Sequence, residues 1–73
     1  MEYVIVIYPT KRSVYVDGEL IGDTNEVLRM DSGTHRFDLG SPADCEPIFF
    51  EAVVNETTAL LPMKIVFIEK RQV

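Results

Sequence analysis

Apolar and polar side chains alternate with a period of two along most of this chain, and this pattern predicts β-strands. Residues 3–8 are β-branched or aromatic at every position, as strands favour. Pro9 follows them and ends the segment, because proline has no backbone N–H to donate to a ladder. The first strand is therefore predicted over residues 3–8.

The strongest local signal is a hairpin around Asp17 and Gly18. The alternating residues 13–16 come before this pair, and residues 19–22 follow it. A two-residue hairpin turn requires positive φ, which the Asp-Gly sequence supplies. This turn would place Val14 opposite Ile21, so we expect Ile21 to be buried on the same face as Val14 and Val16.

Two further alternating runs predict a second hairpin. Over residues 27–30, Leu28 and Met30 share a face. Over residues 34–39, the alternation predicts that His35, Phe37 and Leu39 point inward. A histidine on such a face is usually partly buried, with its ring nitrogens hydrogen-bonded.

The C-terminal third is less regular. Residues 40–47 contain two prolines and no apolar pattern, which predicts the longest loop and the first place to look for function. Residues 48–54 fit a short capped helix or a strand, and their β-branched and aromatic content favours the strand. A final strand is predicted over residues 59–68, with an edge position or a bulge near Pro62. Together these elements predict one all-β domain over residues 1–73, a small sandwich of about seven short strands.

The sequence Val-Tyr-Val-Asp-Gly-Glu-Leu-Ile-Gly-Asp-Thr at residues 14–24, followed by Gly33-Thr34-His35 and then Phe37 and Leu39, resembles the PEGA domain family. The resemblance covers about half of the chain. It implies a small transthyretin-like or immunoglobulin-like β-sandwich. It also implies an accessory module of bacterial and archaeal surface or envelope proteins, without catalytic residues.

Composition and charge narrow the function classes. The 73 residues are 47% hydrophobic and 26% charged, as in ordinary globular domains. The net charge of −5 disfavours nucleic-acid binding. The longest apolar run is too short to span a bilayer. Met1 is followed by Glu2 and not by a basic segment, which predicts a cytoplasmic chain as written. An envelope or surface location is the alternative if the sequence is an excerpt.

Candidate chemistry is sparse. Cys45 is the single thiol and His35 the single imidazole, so a cysteine–histidine pair is the one nucleophilic arrangement available. The neighbours Asp44 and Glu46 disfavour the thiolate, and we expect Cys45 to be inert or incidentally exposed. One histidine and one cysteine do not make a zinc site, and no calcium-loop or phosphate-loop pattern is present. The sequence predicts a protein that is not an enzyme and has no metal or cofactor.

Charge is distributed unevenly along the chain. Residues 17–56 hold ten acidic and two basic side chains, a net charge of −8. If successive strands run up and down, the turns at residues 17–18, 31–33 and 55–57 share one end of the sandwich. The candidate partner-binding residues are the acidic side chains of these turns, which would face a basic protein surface or a cation: Asp17, Glu19, Asp31 and Glu56.

The expected function is a non-enzymatic protein-interaction or structural accessory module. The alternatives are a small cytosolic regulator or inhibitor acting through its acidic surface, and a surface module that binds glycans or other ligands. Residues 3–8 and 65–68 are apolar on both faces, and a single small core does not bury both. We therefore also expect a homo-oligomer joined through a terminal strand.

Overall fold

The computed structural model describes residues 1–40 and 45–69, and within them every regular element is a β-strand. Among these residues no helix is long and apolar enough to cross a membrane. The strands make a sandwich-like all-β fold, as the sequence predicted. They are β1 (Glu2–Ile7), β2 (Ser13–Val16), β3 (Glu19–Asp23), β4 (Val27–Met30), β5 (Gly33–Asp38), β6 (Cys45–Glu46), β7 (Phe49–Val54), β8 (Met63–Val66) and β9 (Ile68–Glu69).

The strands form two main sheets. One has three strands in the order β4-β1-β8, with β1 antiparallel to β4 and parallel to β8. The other has four antiparallel strands in the order β3-β2-β5-β7. Strands β6 and β9 make a separate antiparallel pair. These directions agree with main-sheet strands that alternate up and down, so the β2–β3, β4–β5 and β7–β8 connections lie at one end.

The described residues form nine strands where about seven were predicted, and the predicted strand over residues 59–68 is wrong in its first half. Thr58 and Leu61 exchange backbone hydrogen bonds of 3.3 and 3.1 Å across a turn. Strand β8 begins only after Pro62, because proline has no N–H with which to extend the ladder backwards. Phe67 separates β8 from β9, and its N–H donates to the carbonyl of Ile7 at 2.9 Å.

The structure also shows what is formed by residues 48–54 and by part of the predicted loop over residues 40–47. Strand β7 pairs with β5 from Gly33 opposite Val54 to Asp38 opposite Phe49, so the favoured strand reading is confirmed and the helix is excluded. Within the predicted loop over residues 40–47, Cys45 begins strand β6 and is buried. Residues 41–44 of that loop lie outside the described residues.

The predicted Asp17-Gly18 turn is confirmed, with φ of 53° and 87°, but the register prediction beyond it is wrong. A bulge in the β2–β3 ladder places Val14 opposite Gly22 and leaves Ile21 40% exposed. A Cβ at position 22 would lie 2.6 Å from Leu28 Cδ2. Any larger residue there would displace the Leu28 side chain, so glycine suits the inward position opposite Val14 that the prediction gave to Ile21.

One hydrophobic core fills the space between the sheets, because the inward side chains of both belong to one buried cluster. The predicted burial of Leu28 and Met30, and of Phe37 and Leu39, is confirmed. The buried apolar residues are Val4, Val6, Tyr8, Val14, Val16, Leu28, Met30, Phe37, Leu39, Cys45, Val54, Ile65 and Phe67.

A hydrogen-bonded clamp closes the end of the sandwich opposite the Asp17-Gly18 turn. The hydroxyl of Thr24, which is 2% exposed, donates to the carbonyl of Thr10 and accepts from the N–H of Arg12, both at 2.9 Å. The Asn25 side chain accepts from the N–H of Tyr8 at 3.2 Å and donates to its carbonyl at 2.9 Å. We call Thr24 and Asn25 the Thr24 clamp, since they fix the connection between β1 and β2.

Candidate functional site

The four acidic residues predicted to bind a partner lie in or beside turns at one end of the fold, and all four are exposed. Asp17 is in the β2–β3 turn, Glu19 begins β3, and Asp31 follows β4. Glu56 follows β7, whose last residue pairs with the first residue of β5. We call this group the acidic end.

His35 joins two of these turns. Its Nδ1 lies 2.6 Å from Asp17 Oδ2, and its Nε2 lies 2.6 Å from the backbone carbonyl oxygen of Asp31. The other carboxylate oxygen of Asp17 accepts from the N–H of Arg36 at 3.0 Å. The structure therefore links the Asp17 and Asp31 turns through His35 of β5. Glu19 and Glu56 lie at the same end of the fold because of the strand order.

These contacts favour the protonated form of His35. A carbonyl oxygen and an ionised carboxylate can only accept, so both contacts are hydrogen bonds only when both ring nitrogens carry protons. The hydrogen bond to Asp17, followed by the one to Asp31, raises the pKa of His35 above its ordinary 6.5. The bonds from His35 and from the Arg36 backbone lower the pKa of Asp17 below 3.8. The pair is an ion pair in weakly acidic solution.

His35 also changes the expected charge of the acidic end. The sequence placed no Lys or Arg in these turns, but β5 contributes an imidazolium between Asp17 and Asp31. The predicted partly buried, hydrogen-bonded histidine is confirmed, since the side chain is 15% exposed and its ring meets Phe37 edge-on at 6.4 Å. Among the described residues, no group of three or more His, Cys, Asp or Glu side chains is arranged to hold a metal ion.

The sequence contained a signal for this link that the alternation pattern alone did not reveal. Strand β5 lies beside β2, with Val16 opposite Phe37. Asp17 is the next residue after Val16, so it lies opposite Arg36. The N–H of Asp17 donates to the Arg36 carbonyl at 2.8 Å. Knowing that β2 and β5 are neighbours would have placed Asp17 beside His35.

Cys45 and His35 have separate hydrogen-bond partners. The Cys45 thiol is buried and donates to the carbonyl of Pro47 at 3.6 Å. Both nitrogens of His35 are engaged by Asp17 and Asp31. This burial excludes the incidentally exposed cysteine, and the inertness of Cys45 stays a prediction. Cys45 lies in strand β6 and not in the loop that was predicted.

The outer surface of the three-stranded sheet is apolar and basic, and we call it the three-stranded face. Its side chains are the outward members of β1, β4 and β8, and none of these positions holds a carboxylate. Ile5 lies between Val27 and Lys64, and Tyr3 lies beside Arg29. The seven residues of this face are Tyr3, Ile5, Ile7, Val27, Arg29, Lys64 and Val66.

The outer surface of the four-stranded sheet is apolar and mainly acidic, and we call it the four-stranded face. On it the Arg36 guanidinium lies 3.9 Å from the centre of the Phe49 ring and opposite Glu51. The larger outward side chains are Tyr15, Leu20, Asp23, Arg36, Asp38, Phe49, Glu51 and Val53.

Comparison with known proteins yields no relative from which to assign either surface: no family model, no curated protein and no solved structure matches the chain. The resemblance to PEGA domains therefore stays a prediction drawn from residues 13–47.

Proposed function

We propose that this chain is a non-enzymatic protein-interaction module that binds its partner through the three-stranded face. The observation that carries the proposal is the composition of that face. Five of its seven side chains are apolar or aromatic and the other two are basic. Val27 and Val66 are exposed, and the outward residues of the central strand β1 are partly exposed. The face of a sheet that contacts water is normally polar, and exposed apolar surface marks interaction sites.

The remaining chemistry supports a binding role over catalysis. The His35 ring is committed on both nitrogens, and Cys45 is buried. A cysteine nucleophile would need a nearby base and an accessible sulfur. The resemblance to PEGA domains points the same way, because it implies an accessory module. The acidic end is a second predicted contact for a basic partner, with Asp31→Lys as its test.

The experiment compares proteins captured by the purified, tagged chain from a lysate of the cells that make it. Val66 is 59% exposed and lies on the three-stranded face, whereas Leu60 is 92% exposed and lies in the turn before β8. We expect Val66→Asp to lose at least one protein that wild type and Leu60→Asp both retain, because the charge disrupts an apolar contact.

Circular dichroism first establishes that both variants keep the β-sheet spectrum. Identical protein sets for wild type, Val66→Asp and Leu60→Asp would refute the three-stranded face as a binding surface. A catalytic activity of the purified chain that is lost on substituting His35 or Cys45 would refute the non-enzymatic assignment.

A further inference from the structure

We infer that the three-stranded face binds the four-stranded face of a second copy of this chain, so that copies associate head to tail. This inference rests on the proposed function, because it identifies the partner of the same surface. It concerns two different faces of each molecule, and it differs from a dimer joined strand to strand. Strand β1 is already paired on both edges, with β4 and β8, so β1 cannot accept another strand.

The charges of the two faces select this pairing. The three-stranded face carries Arg29 and Lys64 and no carboxylate at its outward positions, a charge of +2. The four-stranded face carries Asp38 and Glu51 against Arg36, and its remaining carboxylate, Asp23, is paired with Lys11 at 3.7 Å, which leaves a charge of −1. Two three-stranded faces would bring like charges together, which is unfavourable. The four-stranded face of another copy carries the opposite net charge. Every molecule has both faces, so the two are present at equal concentration.

The apolar side chains give these faces a common mode of contact. Ile5, Val27 and Val66 on one face and Phe49 and Val53 on the other are aliphatic or aromatic, and such surfaces pack as two sheets about 10 Å apart. Strand β1 is about 20 Å long, β4 and β8 are about 13 Å long, and neighbouring strands lie about 4.8 Å apart, so the contact patch is roughly 220 Å². That is below the roughly 800 Å² per partner of a stable complex, so the association should be weak.

A contact between two unlike faces leaves one free face at each end of the assembly. Such a heterologous contact does not close after two copies unless rotation forms a ring. The purified chain should therefore show a mass that continues to rise above the dimer as concentration increases. Higher salt should lower this mass, because the charges that align the faces are exposed and screened.

The test is analytical ultracentrifugation of the purified full chain from about 10 μM to about 1 mM, the range in which weak contacts are seen. One variant, Arg29→Glu with Lys64→Glu, changes the three-stranded face from +2 to −2. Another, Glu51→Lys, changes the four-stranded face from −1 to +1. We expect each variant alone to associate at least about tenfold more weakly than wild type. An equimolar mixture should associate again, because opposite charges then meet.

Glu51→Gln provides a second variant if Glu51→Lys does not fold, and it should weaken association in the same direction. The inference fails if wild type is monomeric throughout, or stops at a dimer. It also fails if Glu51→Lys associates like wild type, or if the mixture does not recover. Binding of monomeric wild type to vesicles of three parts phosphatidylcholine and one part phosphatidylserine would assign the basic, apolar face to a membrane surface instead.

Failure of this inference can be distinguished from failure of the proposed function. If wild type is monomeric and captures another protein that Val66→Asp does not capture, the proposed function stands. The inference that the partner is a second copy is then overturned. If wild type is monomeric and wild type, Val66→Asp and Leu60→Asp capture the same proteins, both the inference and the proposed function are overturned.

Discussion

The two ends of the sandwich are held together by different chemistry. At one end, the Thr24 clamp uses neutral groups: a buried hydroxyl with two hydrogen bonds, and an amide that bonds the N–H and the carbonyl of Tyr8. At the other, the acidic end uses an imidazolium between the Asp17 carboxylate and the Asp31 carbonyl. Asp17 is exposed to solvent, whereas Thr24 is buried.

The two ends therefore differ in how their contributions to the free energy of unfolding depend on pH and salt. Neutral hydrogen bonds of a buried hydroxyl do not depend on pH, and breaking them leaves polar groups without partners. An ion pair at the surface is screened by salt and contributes little, but it changes with pH. We therefore expect the Thr24 clamp to contribute more to the free energy of unfolding than the acidic end, and the acidic end to contribute to its pH dependence.

The largest predicted effect is that of Thr24→Val. Valine has nearly the same shape but removes the hydroxyl, so the Thr10 carbonyl and the Arg12 N–H both lose a partner. We expect a loss of about 2–4 kcal/mol, which is a large fraction of the roughly 4–11 kcal/mol available to a chain of this size. The measurement is urea unfolding followed by circular dichroism.

Thr24→Ser is the matched control, because it keeps the hydroxyl and removes one methyl group. It should cost only about 1 kcal/mol. Equal losses from Thr24→Val and Thr24→Ser would mean that packing, and not hydrogen bonding, accounts for the role of this residue.

The next effect separates the two contributions of Asn25. This residue has φ of 64°, which glycine adopts freely and alanine does not. Asn25→Gly removes only the two bonds to Tyr8 and should cost about 1–2 kcal/mol. Asn25→Ala also strains the backbone and should cost about 1 kcal/mol more. Unfolding of both variants in urea checks the order, and equal stabilities would show that the backbone conformation is not a constraint here.

The two ends also show which features of the structure could be predicted from the sequence. The Asp17-Gly18 turn, the burial of Phe37 and the strand at β7 were predicted because neighbouring residues determine them. The Thr24 clamp could not be predicted from the alternation pattern, because its hydrogen-bond partners at Thr10 and Arg12 belong to another connection.

The same reason explains the errors in the strands. The bulge that exposes Ile21 turns Gly22 toward Leu28 of β4, and short-range alternation contains no information about β4. At the acidic end, the four carboxylates could be grouped from the turns, but the contact of His35 with Asp17 required the order of the strands.

A smaller predicted effect is the pH dependence of stability. The pKa of His35 is raised in the folded state, so its contribution is complete below about 6.5 and is lost as pH rises through the folded value. The pKa of Asp17 is lowered, so its contribution is complete above about 3.8 and is lost as pH falls through the folded value.

Urea midpoints should therefore be highest between about pH 4 and 6.5 and should decline toward pH 8. Asp17→Asn should flatten this decline because the amide does not favour the imidazolium. On the acidic side a slope should persist in the variant, since Thr57 also lowers the pKa of Glu2. An unchanged decline between pH 6 and 8 in Asp17→Asn would contradict the ion pair.

The smallest predicted effect distinguishes the two aspartates beside His35. Asp17 contacts the ring through its carboxylate, whereas Asp31 contacts it through the backbone carbonyl, and its own carboxylate acts only through space. Asp17→Asn should therefore lower the pKa of His35 strongly. Asp31→Asn keeps the carbonyl and should lower it only slightly. Because the chain has one histidine, a proton NMR titration of its ring measures both shifts without assignment. A larger shift in Asp31→Asn than in Asp17→Asn would show that general negative charge, and not the direct hydrogen bond to Asp17, maintains the imidazolium at this end of the sandwich.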